Sequence, residues 1–207
     1  MARPFPPPLR PAALLLTGGA SRRMGRDKAT LVISGQQLAD RTAALLLSVA
    51  DPVLEVGPGY TCLERIQEEP PGEGPLAAVA AGSRFLPAGR PALVVATDLP
   101  RLTHRFLQLL SGYPVPTPDH CVIPHDGAGR AQPLCARYSP SALALARELV
   151  AAGHRSMQDL LQRVPIIAAA RDGDSDNALR DVDTPDDLAA LHRDAPGRDG
   201  ANQVGQP

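Results

Sequence analysis

Short apolar runs alternate along this chain with segments that repeat apolar residues at helical spacing. The runs at 12–17 and 92–96 have the length of buried strands, whereas 37–49 places Leu38, Thr42 and Leu45 on one helical face. We predict strands over 12–17, 53–56, 92–96, 121–124, 133–138, 164–169 and 178–182, and helices over 37–49, 75–86, 102–110, 140–152 and 156–162. Alternating strands and helices build a sheet covered on both faces. The sequence therefore predicts a three-layer, Rossmann-like α/β domain with a mostly parallel sheet.

The ends of the chain differ in composition from the segment between them. Residues 1–10 are rich in proline, and 194–207 are rich in polar residues and glycine. Such segments lack the apolar content that a packed core requires. We therefore expect a disordered arm over 1–10, a single domain over 11–193 and a disordered tail over 194–207, with a last helix opened by Thr184 and Pro185.

Composition excludes several classes of partner. The formal net charge is −1, aromatic residues make up 3% and tryptophan is absent, so neither a basic footprint nor a stacking platform for nucleic acid is present. No apolar run reaches membrane-spanning length, and the start of the chain lacks the apolar core of a secretory signal. The three cysteines are widely spaced, which favours a reducing compartment. We expect a cytoplasmic monomer that binds neither nucleic acid nor membranes.

A segment rich in glycine and arginine follows the first predicted strand directly. Over 14–28 the chain reads LLLTGGASRRMGRDK, so the apolar run ends in Gly18 and Gly19. Glycines let the backbone approach a ligand closely, and their N–H groups can bind phosphate oxygens. Arg22, Arg23 and Lys28 supply positive charge for such phosphates. A βα turn with solvated cations is the alternative, but the combination favours a polyphosphate site.

This segment also carries a family resemblance. The stretch LTGGASRRMGRDKA resembles the signature LAGGxSxRMGxDKA of the nucleotidyltransferases of molybdenum cofactor biosynthesis, and is most similar to the molybdenum cofactor guanylyltransferase (MobA) group. The resemblance extends over about 12–191. Later segments match in the same order: GPL at 74–76, ATDLP at 96–100, QPL at 132–134, GHRS at 153–156 and DVDTP at 181–185.

The resemblance implies roles for the first loop. The residues expected to contact the nucleotide there are Leu16, Thr17, Gly18, Gly19 and Lys28. Gly18 and Gly19 would present backbone N–H groups to phosphate oxygens. Arg23 and Lys28 would hold the β- and γ-phosphates and stabilise the leaving pyrophosphate, which makes both of them expected catalytic residues.

Asp98 is the expected metal ligand. It directly follows a predicted apolar strand and precedes Leu99 and Pro100, so one carboxylate stands where the chain turns. Mg²⁺ shared with phosphates needs only one or two protein carboxylates. The alternative is an aspartate that accepts backbone hydrogen bonds in the turn. The family resemblance implies that Asp98 holds Mg²⁺, contacts the nucleotide and takes part in catalysis.

An acidic loop precedes Gly74. In the family that this chain resembles, an acidic residue a few positions before Gly-Pro-Leu contacts the guanine base. A carboxylate suits guanine, because N1–H and N2–H₂ both donate in the same direction. This chain has two glutamates, Glu68 and Glu69, where the family usually has aspartate. We expect Glu68 to contact the nucleotide, and the alternative is that Glu69 faces the base. Gly74 would let the backbone approach the base or sugar. An exposed loop without a ligand is the alternative.

Three residues are candidates for the acceptor side of the site. Asp181 and Asp183 occupy positions at which the similar guanylyltransferases usually have asparagine. They could hold a metal or orient the acceptor phosphate, or they could repel an anionic substrate. The DxDTP pattern also resembles cytidylyltransferases that act on the same cofactor. Arg155 is the third candidate, and its expected role is either to bind a phosphate of the acceptor or to cap a helix.

The resemblance implies a Mg²⁺-dependent transfer of GMP from GTP to molybdenum-molybdopterin cofactor, giving the guanine dinucleotide cofactor and pyrophosphate. Molybdoenzymes or other proteins of cofactor biosynthesis would be further partners. Two rival transferases of the same fold remain, one that uses CTP and one that acts on a sugar phosphate. A non-catalytic nucleotide-binding protein is a third rival.

Overall fold

The computed structural model describes residues 10–18, 28–33, 35–169 and 177–180, with Lys28 described by its backbone alone. The strands in these ranges are β1 Ala12–Leu16, β2 Val32–Ile33, β3 Gln36–Gln37, β4 Val53–Val56, β5 Glu64–Ile66, β6 Ala92–Ala96, β7 Cys121–Ile123, β8 Cys135–Tyr138 and β9 Ile166–Ala168. The helices are α1 Leu38–Val49, α2 Pro75–Ser83, α3 His104–Gly112, α4 Pro140–Ala151 and α5 Met157–Leu161, and a 3-10 helix covers Lys28–Thr30.

Seven of these strands form one sheet in the order β5-β4-β1-β6-β8-β7-β9, and β2 pairs with β3 separately. Within the seven-stranded sheet only β8 runs antiparallel to its neighbours. The chain goes from β1 to β4 on one side of β1, and returns through α2 to β6 on the other side. The order of strands therefore reverses between β1 and β6, and in open α/β sheets such a reversal opens a ligand crevice at the carboxyl ends.

Helices cover both faces of the sheet. Side chains of a strand alternate between faces, so Ala12, Leu14 and Leu16 pack into the core cluster that includes residues of α2, α4 and α5. Ala13 and Leu15 pack into the opposite cluster with residues of α1 and α3. All five residues of β1 are buried. The predicted three-layer α/β fold with a mostly parallel sheet is confirmed.

Several predicted bounds need correction. The strand expected over 178–182 is wrong for its described part, because Asn177 and Ala178 form a helical turn and Ala178 and Leu179 bury their side chains without pairing. The predicted helix 75–86 ends at Ser83, where the N–H groups of Arg84 and Phe85 bond carbonyls three residues earlier. Strand β5 has two exposed residues out of three, so it lacked an apolar signal.

Residues 1–9 of the predicted arm at 1–10, the tail at 194–207 and the helix from Thr184 lie outside the described residues. Arg10 is described, and its guanidinium donates a hydrogen bond to the Ser48 carbonyl oxygen. Among the described helices, none is both long and apolar enough to cross a membrane.

Candidate active site

The carboxyl ends of β1 and β6 lie side by side at the point where the strand order reverses. Leu16 pairs with Ala96 in the parallel register between these strands, and Leu16 also pairs with Val56 of β4. The chain therefore leaves β1 at Thr17 and Gly18 next to the turn at Thr97 and Asp98. The structure thus brings the start of the first loop next to the turn that contains Asp98.

Gly18 lies against the backbone that follows β4. A Cβ atom placed on Gly57 would lie 2.4 Å from Thr17 Oγ1 and 2.6 Å from the backbone nitrogen of Gly18. Gly57 also has a φ of +147°, a conformation that side chains rarely adopt. Only glycine fits here, and its absence of a side chain allows β4 to support the start of the first loop.

A buried carboxylate fixes Thr17. Glu55 lies on β4 and is fully buried, and its Oε1 accepts a 2.6 Å hydrogen bond from Thr17 Oγ1. The same carboxylate accepts backbone hydrogen bonds from Gly59, Tyr60 and Thr61 and another from the Thr61 hydroxyl. Burial alone would raise the pKa of Glu55, but these hydrogen bonds outweigh it and hold the pKa below its ordinary value. Glu55 is therefore an anion that ties β1 to the 57–61 loop.

Glu68 lies beside Gly18. Its Oε1 would be 3.6 Å from a Cβ atom on Gly18, whereas the neighbouring Glu69 is exposed. Burial raises the pKa of Glu68, the N–H groups of Gly72 and Glu73 that bond its carboxylate lower it, and the charge of Glu73 adds to the rise. The net pKa is raised. Glu68 Oε2 is buried and has no hydrogen-bond partner among the described residues, so it can accept hydrogen bonds from a ligand.

Asp98 is half-buried in the turn after β6. Its charge contributes, after burial itself, to a strongly raised pKa of Cys135, so this buried thiol stays protonated beside the carboxylate. Within the described residues no group of three or more His, Cys, Asp or Glu side chains could hold a metal ion. A cation at Asp98 would therefore take most of its ligands from elsewhere, as Mg²⁺ does when phosphates and water complete its coordination.

Arg155 lies next to the 68–74 loop. Its Nη1 donates to the carbonyl oxygens of Val150, in the last turn of α4, and of His154, beyond that helix. Its Nη2 lies 2.6 Å from Glu73 Oε2. Of the two roles that the sequence left open, this geometry agrees with the helix cap. Gly74 has a φ of +104°, and a Cβ atom there would come within 3.3 Å of the Arg155 carbonyl oxygen. Gly74 therefore allows the backbone of Arg155 to come close to the start of α2.

Several predicted site residues lie outside the described part of the chain: Gly19, Arg23, Asp181, Asp183 and the side chain of Lys28. The segment leading to Asp181 is held near the turn after β6, because Arg101 Nη1 donates to Asn177 Oδ1 at 3.2 Å.

Sequence reasoning missed three residues that shape the site: Glu55, Gly57 and Glu73. For Glu55 a signal was present, since a charged residue interrupts the apolar run of β4. Gly57 directly follows that strand, and Gly18 is the second residue after β1. The pairing of Glu73 with Arg155 had no local signal.

Comparison with known proteins agrees with this geometry. The sequence profile of the MobA-like NTP transferase domain matches residues 13–170. Relatives include the probable molybdenum cofactor guanylyltransferase of Chloroflexus aggregans, 30% identical over 86% of this chain and 91% of that protein. The protein of the same description from Mycobacterium tuberculosis is 36% identical over 78% of this chain and 84% of its own length. The chain therefore belongs to the MobA-like NTP transferase family and is a nucleotidyltransferase.

Solved structures share the fold. Molybdopterin-guanine dinucleotide biosynthesis protein A of Archaeoglobus fulgidus superposes with a TM-score of 0.68 at 22% identity, covering 88% of this chain and 97% of that one. The 2-C-methyl-D-erythritol 4-phosphate cytidylyltransferase of Thermus thermophilus superposes with a TM-score of 0.65 at 14% identity, covering 88% and 98%. Since the fold accommodates different bases and acceptors, local residues must decide the substrate.

Proposed function

We propose that this protein transfers GMP from GTP to molybdenum-molybdopterin cofactor. The terminal phosphate of the cofactor attacks the α-phosphorus of GTP, the bond between the α-phosphorus and its bridging oxygen to the β-phosphate breaks, and pyrophosphate leaves. The relatives named as molybdenum cofactor guanylyltransferases cover most of the chain and support this assignment.

The observation that carries the guanine assignment is the carboxylate of Glu68. It is buried next to Gly18, and one of its oxygens has no hydrogen-bond partner among the residues that the structure describes. A buried acceptor of this kind is costly unless a ligand satisfies it. Guanine presents N1–H and N2–H₂ side by side, which suits a carboxylate better than the donor and acceptor edges of adenine or cytosine do.

A divalent cation fits the residues present. Asp98 offers a hard oxygen ligand at the edge where the triphosphate would lie, and the described residues contain no competing cluster of ligands. We propose that Asp98 holds Mg²⁺, which when bound would neutralise charge that develops on the phosphates.

The remaining work of the chain is positioning and neutralisation of charge. Gly18 and Gly19 would direct backbone N–H groups at the phosphates, while Arg23 and Lys28 would hold the β- and γ-phosphates as pyrophosphate departs. Arg155 is already engaged with Glu73, so Asp181 and Asp183 remain the proposed acceptor-side residues.

The direct test is a pyrophosphate-release assay with Mg²⁺, molybdopterin cofactor and GTP, CTP or ATP in turn. We expect GTP to be preferred by about 1–3 kcal/mol in transition-state free energy, the worth of one bidentate base contact. Equal rates with CTP would refute the guanine assignment. Transfer to a sugar 1-phosphate but not to the pterin would refute the acceptor and leave the nucleotide site intact.

Substitution of Asp98 tests the metal site. Asp98→Ala should abolish the response of turnover to Mg²⁺, and Asp98→Asn should keep nucleotide binding while it binds the cation poorly. Asp119→Ala is a matched control, since Asp119 is exposed and precedes β7, at the amino ends of the parallel strands and away from their carboxyl ends. A normal magnesium titration of Asp98→Ala would place the cation elsewhere.

Lys28 allows a separate test, because it is the single lysine in the chain beside 20 arginines. An amine-reactive reagent can therefore modify only Lys28 and the terminal amino group. GTP should protect Lys28 from modification, and Lys28→Ala should lower turnover much more than it lowers stability. Modification that GTP does not slow would show that Lys28 is a solvated charge.

We also propose that the protein acts in the cytoplasm as a monomer that exchanges cofactor with molybdoenzymes or other biosynthetic proteins. All three cysteines are free, which suits a reducing compartment. The large apolar side chains exposed in the described ranges are spread over separate elements: Val32, Leu47, Phe85 and Ile166. Light scattering of the purified protein measures the oligomeric state.

A further inference from the structure

The ion pair between Glu73 and Arg155 joins the acidic loop to the connection between α4 and α5. Arg155 Nη2 and Glu73 Oε2 are 2.6 Å apart, and the two side chains are 38% and 32% exposed. An exposed pair of mobile side chains contributes little to stability. Here, however, the guanidinium is held by hydrogen bonds from Nη1 to two carbonyl oxygens, so Arg155 presents a fixed partner to the loop.

Glu73 is also in contact with Glu68. Its backbone N–H donates a hydrogen bond to the Glu68 carboxylate, as does the N–H of Gly72. Glu73 thus forms an ion pair with Arg155 through its side chain and orients the buried Glu68 carboxylate through its backbone N–H. The Arg155 carbonyl oxygen also lies 3.3 Å from the position that a Cβ atom on Gly74 would take, so the two backbone segments approach closely on the same side.

We propose that the Glu73–Arg155 ion pair is a positioning element that sets selectivity for the nucleotide base. It holds the 68–74 loop so that the Glu68 carboxylate stays next to Gly18 and presents Oε2 to the base. Arg155 acts through Glu73 and touches neither base nor acceptor. This inference rests on the proposed function, because it takes Glu68 as the residue that reads guanine.

Calorimetric titration of the full chain with GTP and with CTP, without acceptor, tests the inference. In Glu73→Gln and Arg155→Met we expect affinity for GTP to fall about five- to tenfold and affinity for CTP to change less than about twofold, the scale on which remote residues modulate binding. The double variant should lose no more than either single variant, because both break one contact. Arg155→Lys should retain part of the preference for GTP over CTP that Arg155→Met loses.

Arg163→Met is the matched control. Arg163 is a similarly exposed arginine that pairs with Asp159 near the end of α5, and its loss should leave the ratio of GTP to CTP affinity unchanged. Urea midpoints of all variants should stay close to that of the wild type, so that a change in the ratio reports positioning.

The outcomes separate this inference from the proposed function. Equal affinity of the wild type for GTP and CTP overturns the guanine assignment and this inference with it. A wild-type preference for GTP that survives in both Glu73→Gln and Arg155→Met overturns the inference alone. Unchanged GTP affinity in Arg155→Met together with a raised KM for the acceptor would assign Arg155 to the acceptor phosphate instead.

Discussion

Replacement of Glu55 by glutamine is the most informative single perturbation of this fold. The Glu55 carboxylate accepts hydrogen bonds from Thr17, Gly59, Tyr60 and twice from Thr61, at 2.6–3.1 Å. Every partner is a donor, and the carboxylate is fully buried. In Glu55→Gln one oxygen becomes an NH₂ group, which is itself a donor and must face other donors.

The expected loss of stability follows from the orientation of the glutamine amide that costs least free energy. If the amide NH₂ faces Thr61, the Thr61 hydroxyl can rotate to accept and only the Thr61 N–H loses its acceptor. One buried unsatisfied N–H together with the loss of charge on the remaining bonds costs about 2–4 kcal/mol. Because Thr17 also loses a charged partner, affinity for nucleotide should fall as well.

Urea denaturation at several pH values provides the assay, with Glu64→Gln as the control. Glu64 is exposed on the neighbouring strand β5, so its change should stay within about 0.5 kcal/mol. The folded pKa of Glu55 lies below its ordinary value of 4.5. Its stabilisation is thus fully present above pH 4.5 and is lost as the pH falls through the lowered pKa.

The difference in unfolding free energy between the wild type and Glu55→Gln should therefore become smaller at acidic pH. A variant that is as stable as the wild type at pH 7, or one whose deficit is the same at all pH values, would refute this account of Glu55.

Two further substitutions test how the fold supports the site. Gly57→Ala should cost about 3 kcal/mol or more and weaken nucleotide binding, because its Cβ would meet Thr17 and Gly18 in a strained backbone conformation. Gly89→Ala, which has a positive φ but open space around it, should cost only about 1 kcal/mol in the same urea titration; equal losses would contradict the steric argument. Arg137→Met should lower the unfolding free energy by about 2 kcal/mol without changing the KM for nucleotide, since the buried guanidinium donates to the carbonyl oxygens of Ser111 and Tyr113 at the end of α3. A raised KM in that variant would mean that Arg137 also shapes the site.

Local pattern was enough to predict the layers of this protein. The strand predicted at 92–96 and the helix predicted at 140–152 agree with β6 and α4 to within one residue, because apolar periodicity and proline at a helix start are properties of neighbouring residues. The first loop and Asp98 were also recognisable, since each directly follows an apolar strand. In a parallel sheet such positions collect at the carboxyl edge whatever the order of the strands.

Only the tertiary structure decided which of these groups meet. The sequence favoured Glu68 but left the position open by one, and only the structure shows that Glu68 is buried next to Gly18 whereas Glu69 is exposed. Glu55 bonds Thr17 across 38 positions of the chain, and Arg155 pairs with Glu73 through the contact of α4 and α5 with α2. Contacts of this kind depend on strand order, on register and on the direction of each loop. No local pattern encodes these, because each is a property of two segments packed together.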